Sequence, residues 1–393
     1  MNMLQKKNYA PLLICLCVLC QNPIWPIWHV GIPLSYVFLM FLFLLKHKKI
    51  LDRLRKLSVV VALSLLSVIF VFFPLFRGMH FSHILILLSF LIAFSLTDYE
   101  KDKALKYITS SVYYIIVISL PTWLIHTFFL ELPSFGILDL SSLKGSFYPM
   151  NNHLLFVTFA VLDTNIRFYS MFDEPGVLGT LSAFILFGNR YNFHDKKNWI
   201  ILLGGIFTYS LAFYVLSFLG YLCMNLHSIK KIVASCIVIS FIGLSVFYLL
   251  QDNIGFQRSV ITRFSRSNAE NFENRTGYRA TLFYEQNFYS TDIFFGIGYN
   301  KMMNEHLKKG ESYKLFIIEN GLVGMIVLMI VYLLLAGKLN SLIIAFYMLF
   351  FLSFTQRPFA FTVWQAFLFV CVVNAFRGDE KYACDQLLKK KIQ

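Results

Sequence analysis

Residues 57–76 read LSVVVALSLLSVIFVFFPLF, an apolar run without one charged side chain. A helix needs about 20 such residues to cross the hydrocarbon core of a bilayer. Because backbone amides cannot stay unpaired in hydrocarbon, the run predicts a transmembrane helix. The composition indicates that the rest of the chain is also a membrane protein, since 58% of its 393 residues are hydrophobic and 14% are charged. The sequence therefore predicts an all-α polytopic membrane protein and excludes the soluble, disordered and disulfide-scaffold classes.

We predict a membrane helix bundle of about 12 transmembrane helices, in a single integral membrane domain over residues 1–393. Lys and Arg concentrate in the connections on one side of this arrangement, as in 46–56, where six of them accompany one Asp. Because basic residues mark cytoplasmic loops, we expect both termini in the cytoplasm. The net charge of +14 is then mainly a topology signal. The predicted spans are 9–20, 28–45, 57–76, 80–97, 105–130, 175–188, 198–208, 211–226, 231–250, 313–335, 340–354 and 359–376.

Two parts of this arrangement are less regular. The apolar run 153–162 is short, and we expect it to form a re-entrant or surface helix within an outer loop over residues 131–174. The stretch 198–226 is either one long span or two short helices that turn near Tyr209 and Ser210. We favour two helices, because that arrangement keeps the basic residues near 230 in the cytoplasm.

A larger outer loop, predicted to be partly helical, covers residues 251–312. Its first half carries five arginines and no lysine between 258 and 279. The planar guanidinium fork binds phosphate oxygens in pairs, so this pattern favours an anionic ligand held at headgroup depth. The alternative is a solvated amphipathic helix that touches anionic lipid headgroups. The arginines are Arg258, Arg263, Arg266, Arg275 and Arg279.

Several carboxylates have more than one interpretation. Glu174 precedes Pro175 at the start of a span, where it suits either a helix cap or a general base. Glu319 falls inside the span 313–335, where a charge needs a partner or water. The motif Asp98-x-Glu100-x-Asp102 resembles the acidic metal motif of nucleotide-sugar transferases, but we expect a solvated cytoplasmic loop. No nucleotide-binding motif occurs, so we expect neither a cofactor nor a metal.

Three patches resemble the bacterial O-antigen polymerase family, also called Wzy-type. They are RFYSMFDEPG at 167–176, RATLFY at 279–284 continuing to FGIG at 295–298, and ESYKLFIIENGLVG at 311–324. The related O-antigen ligases usually carry His-Asn near the start of the last of these spans. This chain has Glu311-Ser312 there, which favours a polymerase.

The resemblance implies a metal-independent membrane glycosyltransferase of lipopolysaccharide biosynthesis. Its substrate would be an oligosaccharide repeat unit linked through pyrophosphate to a polyprenol (undecaprenyl pyrophosphate), at the outer face of the bacterial inner membrane. A sugar hydroxyl of one unit would attack the first sugar carbon of the growing chain, and polyprenyl pyrophosphate would leave. We assign catalysis to Arg167, Glu174, Arg279 and Glu311. We assign substrate binding to Arg258, Arg263, Arg266, Arg275, Tyr278 and Tyr313.

Two rival functions stay open at this point. One is an O-antigen ligase, which would transfer the glycan to lipid A-core. The other, of a different class, is a flippase or transporter of lipid-linked oligosaccharides, which would favour inverted repeats, broken helices and charges near the midplane. The expected partners are membrane lipids and a chain-length regulator protein, with no nucleic acid. The sequence leaves open whether the protein acts without that regulator.

Overall fold

The computed structural model describes residues 3–22, 24–78, 81–141, 148–160, 167–226, 277–307, 312–356 and 362–377, with isolated positions between 230 and 257. Packing divides the chain into two compact units. The first comprises residues 1–22, 27–108 and 273–393, and the second comprises 23–26 and 109–272. The boundary falls inside one helix, Asp98–Phe128. The predicted single membrane domain stays a prediction.

The described residues are mostly helical, and the predicted helical class is confirmed at that level. A π-turn, Val68–Phe72, joins two of the helices into one rod over Leu57–Arg77, and a 3-10 turn covers Trp25–Ile27. In chain order, the α-helices are α1 (Met3–Gln21), α2 (Gly31–Arg53), α3 (Leu57–Ser67), α4 (Phe73–Arg77), α5 (Phe81–Ser95), α6 (Asp98–Phe128), α7 (Pro175–Gly188), α8 (Lys196–Phe207), α9 (Leu211–Met224), α10 (Tyr278–Gln286), α11 (Thr291–Phe295), α12 (Gly298–Asn304), α13 (Tyr313–Ala336), α14 (Ser341–Gln356) and α15 (Val363–Asn374).

A helix lies in each of the predicted spans that the structure describes, and span 231–250 falls largely outside the described residues. Within the part of the chain described, three helices are long and apolar enough to cross a membrane: Leu57–Arg77, Asp98–Phe128 and Tyr313–Ala336. Shorter apolar helices accompany them, so the chain has the helices of a membrane protein. The number of crossings stays a prediction.

Helix α2 shows how these helices pack. Its buried residues recur every three or four positions, which is the spacing of one helix face. Up to Leu45 the other faces are also apolar but exposed, as at Phe41 and Leu44. Soluble proteins seldom expose contiguous apolar faces of this kind, whereas lipid covers them readily. The buried residues are Gly31, Ser35, Leu39, Leu42, Lys46 and Ile50.

The core of the first unit is aromatic. Tyr332 of α13 is fully buried, and its ring contacts phenylalanines from α5, α14 and α15. The ring centroids of Phe90, Phe350 and Phe369 lie 5.4, 4.6 and 4.9 Å from that of Tyr332. Such tilted and edge-on aromatic pairs add to the packing energy. The α13 helix is thereby fixed at its C-terminal half.

The acidic motif at 98–102 is helical, so the predicted loop is wrong, whereas the predicted exposure to solvent is confirmed for Asp98 and Asp102. It forms the first turn of α6, where Thr97 and Glu100 make a reciprocal capping box with backbone–side-chain distances of 2.9 and 3.4 Å. The Glu100 carboxylate also accepts a hydrogen bond from Lys46 of α2, and both side chains are buried. The capping box and the buried ion partner account for the burial of Glu100, while Asp98 and Asp102 stay exposed.

The second unit is built around α7. All residues of Pro175–Gly188 are buried, with α8 and α9 packed against the helix. Between α8 and α9 the chain turns at Tyr209, which has a φ of 46°, and Ser210 is the N-cap of α9. The prediction of two short helices in 198–226 is therefore confirmed.

A small antiparallel sheet also belongs to the second unit and departs from the all-α prediction. Strand β1 (Ile137–Asp139) pairs with β2 (Pro149–Asn152), which pairs with β3 (Val157–Phe159). The helix expected over 153–162 is therefore wrong. Short apolar runs do not distinguish helix from strand, and the β-branched and aromatic residues of this run favour a strand.

Candidate functional site

Helix α13 is interrupted at Gly321, where φ is 79° and ψ is 168°. These angles break the ladder of helical hydrogen bonds two turns after the helix begins. The Ile318 carbonyl oxygen instead accepts a hydrogen bond from the Ile297 amide, at 2.8 Å. The loop between α11 and α12 therefore substitutes for the missing helical turn. Breaks of this kind are tolerated at membrane depth only where protein or a polar cavity satisfies the backbone.

Two glycines make this close approach possible. A Cβ atom on Gly321 would lie 2.4 Å from the Phe294 carbonyl oxygen. A Cβ atom on Gly296, whose φ is 76°, would lie 2.4 Å from the Glu319 carbonyl oxygen. Both residues adopt a backbone conformation that is essentially restricted to glycine. The resembling patches 295–298 and 311–324 thus meet backbone to backbone.

Arg77 also binds the loop between α11 and α12. It ends the helical rod that begins at Leu57, and its Nη1 group donates hydrogen bonds to the carbonyl oxygens of Phe295, at 2.8 Å, and Gly296. The guanidinium carbon also lies 5.1 Å from the centre of the Phe73 ring, within cation–π range. Arginine has three further N–H donors beyond those of Nη1. Arg77 can therefore bind the loop and still offer donors to a ligand.

These elements enclose one cleft in the first unit, which we call the break cleft. Its polar lining is half-buried, and its apolar lining comes from the Leu57–Arg77 rod and from α11. A cleft with a cation, a carboxylate, an amide and an apolar wall suits a ligand that is both polar and lipid-linked. Its lining residues are Ile69, Phe73, Pro74, Arg77, Gly78, His83, Phe295, Gly298, Tyr299, Glu319 and Asn320.

Helix α10 packs against the first turns of α13. The buried Lys314 ammonium lies 3.7 Å from a Glu285 carboxylate oxygen and 5.6 Å from the centre of the Tyr284 ring. Burial raises the pKa of the Tyr284 phenol, Tyr313 raises it further and the Lys314 charge lowers it in part. The phenol therefore stays protonated near neutral pH and can donate a hydrogen bond.

The structure places the other predicted residues of the first unit outside this lining. Tyr278 and Arg279 lie at the start of α10 and are exposed, and Tyr313 is half-buried in the first turn of α13. Ser312 is the N-cap of α13 and accepts a hydrogen bond from the Leu315 amide, at 3.3 Å. The remaining predicted residues lie outside the described chain, namely Arg258, Arg263, Arg266, Arg275 and Glu311.

The predicted residues of the second unit sit at helix ends. Arg167 is half-buried, and its Nε group donates a hydrogen bond to the Thr208 carbonyl oxygen at 3.0 Å, just past the C-terminus of α8. Glu174 occupies the N-cap position of α7, but its carboxylate does not accept a hydrogen bond from the first helical amides. Glu174 therefore does not cap α7 through a side-chain hydrogen bond, although its negative charge still suits a helix N-terminus.

Sequence reasoning missed Arg77, His83, Tyr299 and Asn320. One signal was present for Arg77: in the predicted topology it lies on the outer side, where basic residues are uncommon. Asn320 lies inside the patch 311–324 but was given no role, and His83 and Tyr299 gave no signal, because they approach the cleft only through the fold. Within the described residues, no group of three or more His, Cys, Asp or Glu residues is placed to hold a metal ion.

None of the known protein-family models matches this sequence, and no curated protein matches it either. The proposed resemblance to polymerases rests on the three patches and on the predicted arrangement of spans.

Proposed function

We propose that this chain is a metal-independent glycosyltransferase that polymerises oligosaccharide repeat units linked through pyrophosphate to a polyprenol. In this proposal it crosses the bacterial inner membrane about 12 times with both termini in the cytoplasm. The loops 131–174 and 251–312 face outward, and the product is O-antigen or a similar surface polysaccharide.

One observation carries the proposal. Two of the three patches that resemble polymerases, 295–298 and 311–324, are joined by residues 299–310 and pack against each other backbone to backbone at the break cleft. The cleft combines an apolar wall with Arg77 and Glu319, as a lipid-linked sugar requires. Both patches contribute residues to the cleft lining, and the glycines Gly296 and Gly321 permit their close contact, which supports a shared role for the two patches.

The reaction would proceed by displacement at the first sugar carbon. A carboxylate accepts the proton of the attacking hydroxyl, the new C–O bond forms, and the bond from the sugar to pyrophosphate breaks. Of the described carboxylates, Glu319 lines the cleft, so it joins Glu174 and Glu311 as a candidate base. Arg279 and Arg167 remain the candidates from the sequence for neutralising the leaving pyrophosphate, and Arg77 joins them because it lines the cleft. Preorganised donors of this type lower a barrier by several kcal/mol.

A flippase for the same lipid-linked unit is the second candidate, because one observation favours it. Transporters commonly hold their substrates at discontinuous helices, and α13 is discontinuous at Gly321. A flippase would carry the unit across the membrane and leave its glycosidic bonds unchanged. The two candidates therefore differ in product.

Reconstitution separates these functions. The full chain in liposomes receives fluorescent lipid-linked repeat units, without nucleotide or added metal. A polymerase converts them into a ladder of longer glycans, a flippase moves the fluorophore across the bilayer without a ladder, and a ligase needs added lipid A-core. Arg279→Lys should reduce the ladder at unchanged membrane insertion, because an ammonium cannot fork two oxygens. The exposed Arg55→Lys is the matched control, and absence of a ladder from the inserted wild type would overturn the proposal.

A further inference from the structure

Helix α6 has two contrasting faces within the second unit. Val112, Ile116 and Trp123 are fully buried on one face. On the opposite face, an apolar stripe is exposed at intervals of three, four or seven residues, which is one side of a helix. Because α6 is long and apolar enough to span a bilayer, lipid is the natural cover for this stripe. The stripe residues are Tyr114 (58% exposed), Ile118 (47%), Ile125 (44%) and Phe128 (41%).

The exposed apolar surface does not stop where α6 ends. It continues through the connection and along the edge strand β1, with even larger exposure. We call this continuation the ledge, defined by Phe129 (85% exposed), Leu130 (64%), Phe135 (65%) and Ile137 (68%). Single exposed apolar residues need no explanation, but a patch that prolongs a candidate span does.

The ledge backbone is suited to a water-poor layer. The Leu130 amide donates to the Ile125 carbonyl oxygen at 2.8 Å, and the Phe135 amide donates to the Asn152 carbonyl oxygen at 2.8 Å. One charged residue, Glu131, occurs between positions 129 and 138. A full charge is costly in the hydrocarbon core and tolerated among headgroups. These facts fit the boundary between headgroups and acyl chains.

We propose that the ledge lies in the interfacial layer of the bilayer, where Phe129, Leu130, Phe135 and Ile137 insert between phospholipids and hold the β1–β3 sheet against the membrane surface. A second copy of the chain could otherwise cover an edge strand. The continuity of the ledge with the α6 stripe favours lipid, and β1 provides only three residues for pairing between copies. This inference does not depend on the proposed enzymatic activity.

Photocrosslinking tests the ledge in the full chain, reconstituted into phosphatidylethanolamine–phosphatidylglycerol vesicles. Phe135 is replaced by p-benzoylphenylalanine, with Ile118 on the stripe as the positive control and the exposed Asn192 as the negative control. We expect phospholipid adducts at 118 and 135 and at most about one tenth of that yield at 192. Lipid adducts at 118 without adducts at 135 would overturn the proposal. So would crosslinks at 135 to a second copy, seen as a doubled mass.

Discussion

Helix α13 in the first unit and helix α7 in the second each begin within a patch singled out in the sequence, 311–324 and 167–176, yet their interiors differ. In α7 the helix is unbroken and all its residues are buried. In α13 the backbone breaks at Gly321, and the adjoining Glu319 and Asn320 stay half-buried in a cleft. The comparison teaches that an apolar helix gains polar chemistry where its backbone is interrupted, because the break opens room and demands hydrogen-bond partners.

The largest expected effect comes from Gly321→Ala, which should lower the free energy of unfolding by at least about 3 kcal/mol. The new Cβ atom would carry backbone strain and would also meet three backbone atoms of 294–296 within 2.6 Å. Thermal unfolding in detergent measures the change. Gly136→Ala is the matched control, since its φ is 137° but nothing lies within 4 Å of the new Cβ atom. Equal losses in the two variants would mean that the docked loop contributes nothing.

Gly179→Ala tests the unbroken helix α7 and should lower the free energy of unfolding by about 1–3 kcal/mol. Its Cβ atom would lie 2.9 Å from the Cβ atom of Ser210 and 3.1 Å from that of Phe213, which tests side-chain crowding at an ordinary helical backbone. Small residues let membrane helices approach closely in this way. The same thermal unfolding assay applies. A loss larger than that of Gly321→Ala would reverse the ranking of the two helices.

Arg77→Lys should destabilise the loop at the break by about 1–2 kcal/mol, because an ammonium cannot reproduce the pair of bonds from Nη1. Hydrogen exchange of the Ile297 amide reports on this directly, since that amide bonds to the Ile318 carbonyl oxygen. The exposed Arg55→Lys should change the exchange by less than about 0.5 kcal/mol. Unchanged protection of Ile297 in Arg77→Lys would contradict the role of Arg77.

Prediction from the sequence succeeded where the signal was local. The run 57–76 and the turn at Tyr209 were both predicted, since long apolar runs and their interruptions are local signals. It failed at 153–162, where a mostly apolar run of ten residues fits helix and strand alike. It failed again at Glu100, although Thr97-x-x-Glu100 is a readable capping box, because its partner Lys46 is distant in sequence. The break at Gly321 was also not predicted, because it depends on contacts with the loop at Gly296, which Arg77 holds in place.

The smallest expected effect is a dependence of stability on pH at His153, between β2 and β3 of the second unit. His153 lies 3.1 Å from the Pro133 carbonyl oxygen, and its ring centroid is 4.4 Å from that of His126. Burial lowers the pKa of His153 and the neighbouring His126 lowers it further, while the Pro133 and Leu132 carbonyls and Glu131 raise it in part. The folded chain therefore binds this proton more weakly than the unfolded chain, so stability falls as pH drops below 6.5.

Amide exchange at Phe135 and Asn152, corrected for intrinsic rates, should accordingly be faster at about pH 5.5 than at about pH 7.5. His153→Phe should remove most of this dependence, while His194→Gln, at an exposed turn, should keep it. An unchanged dependence in His153→Phe would assign the effect to another group.

The most direct test of the account is to locate the substrate on the protein. A lipid-linked repeat unit that carries a photoreactive group beside its pyrophosphate is crosslinked to the full chain in liposomes, and labelled peptides are identified by mass spectrometry. We predict labels on 294–301 and 313–324, which flank the break at Gly321, and competition by unlabelled unit. Labels confined to α7 or absent from both segments would contradict the claim that the break cleft holds the substrate.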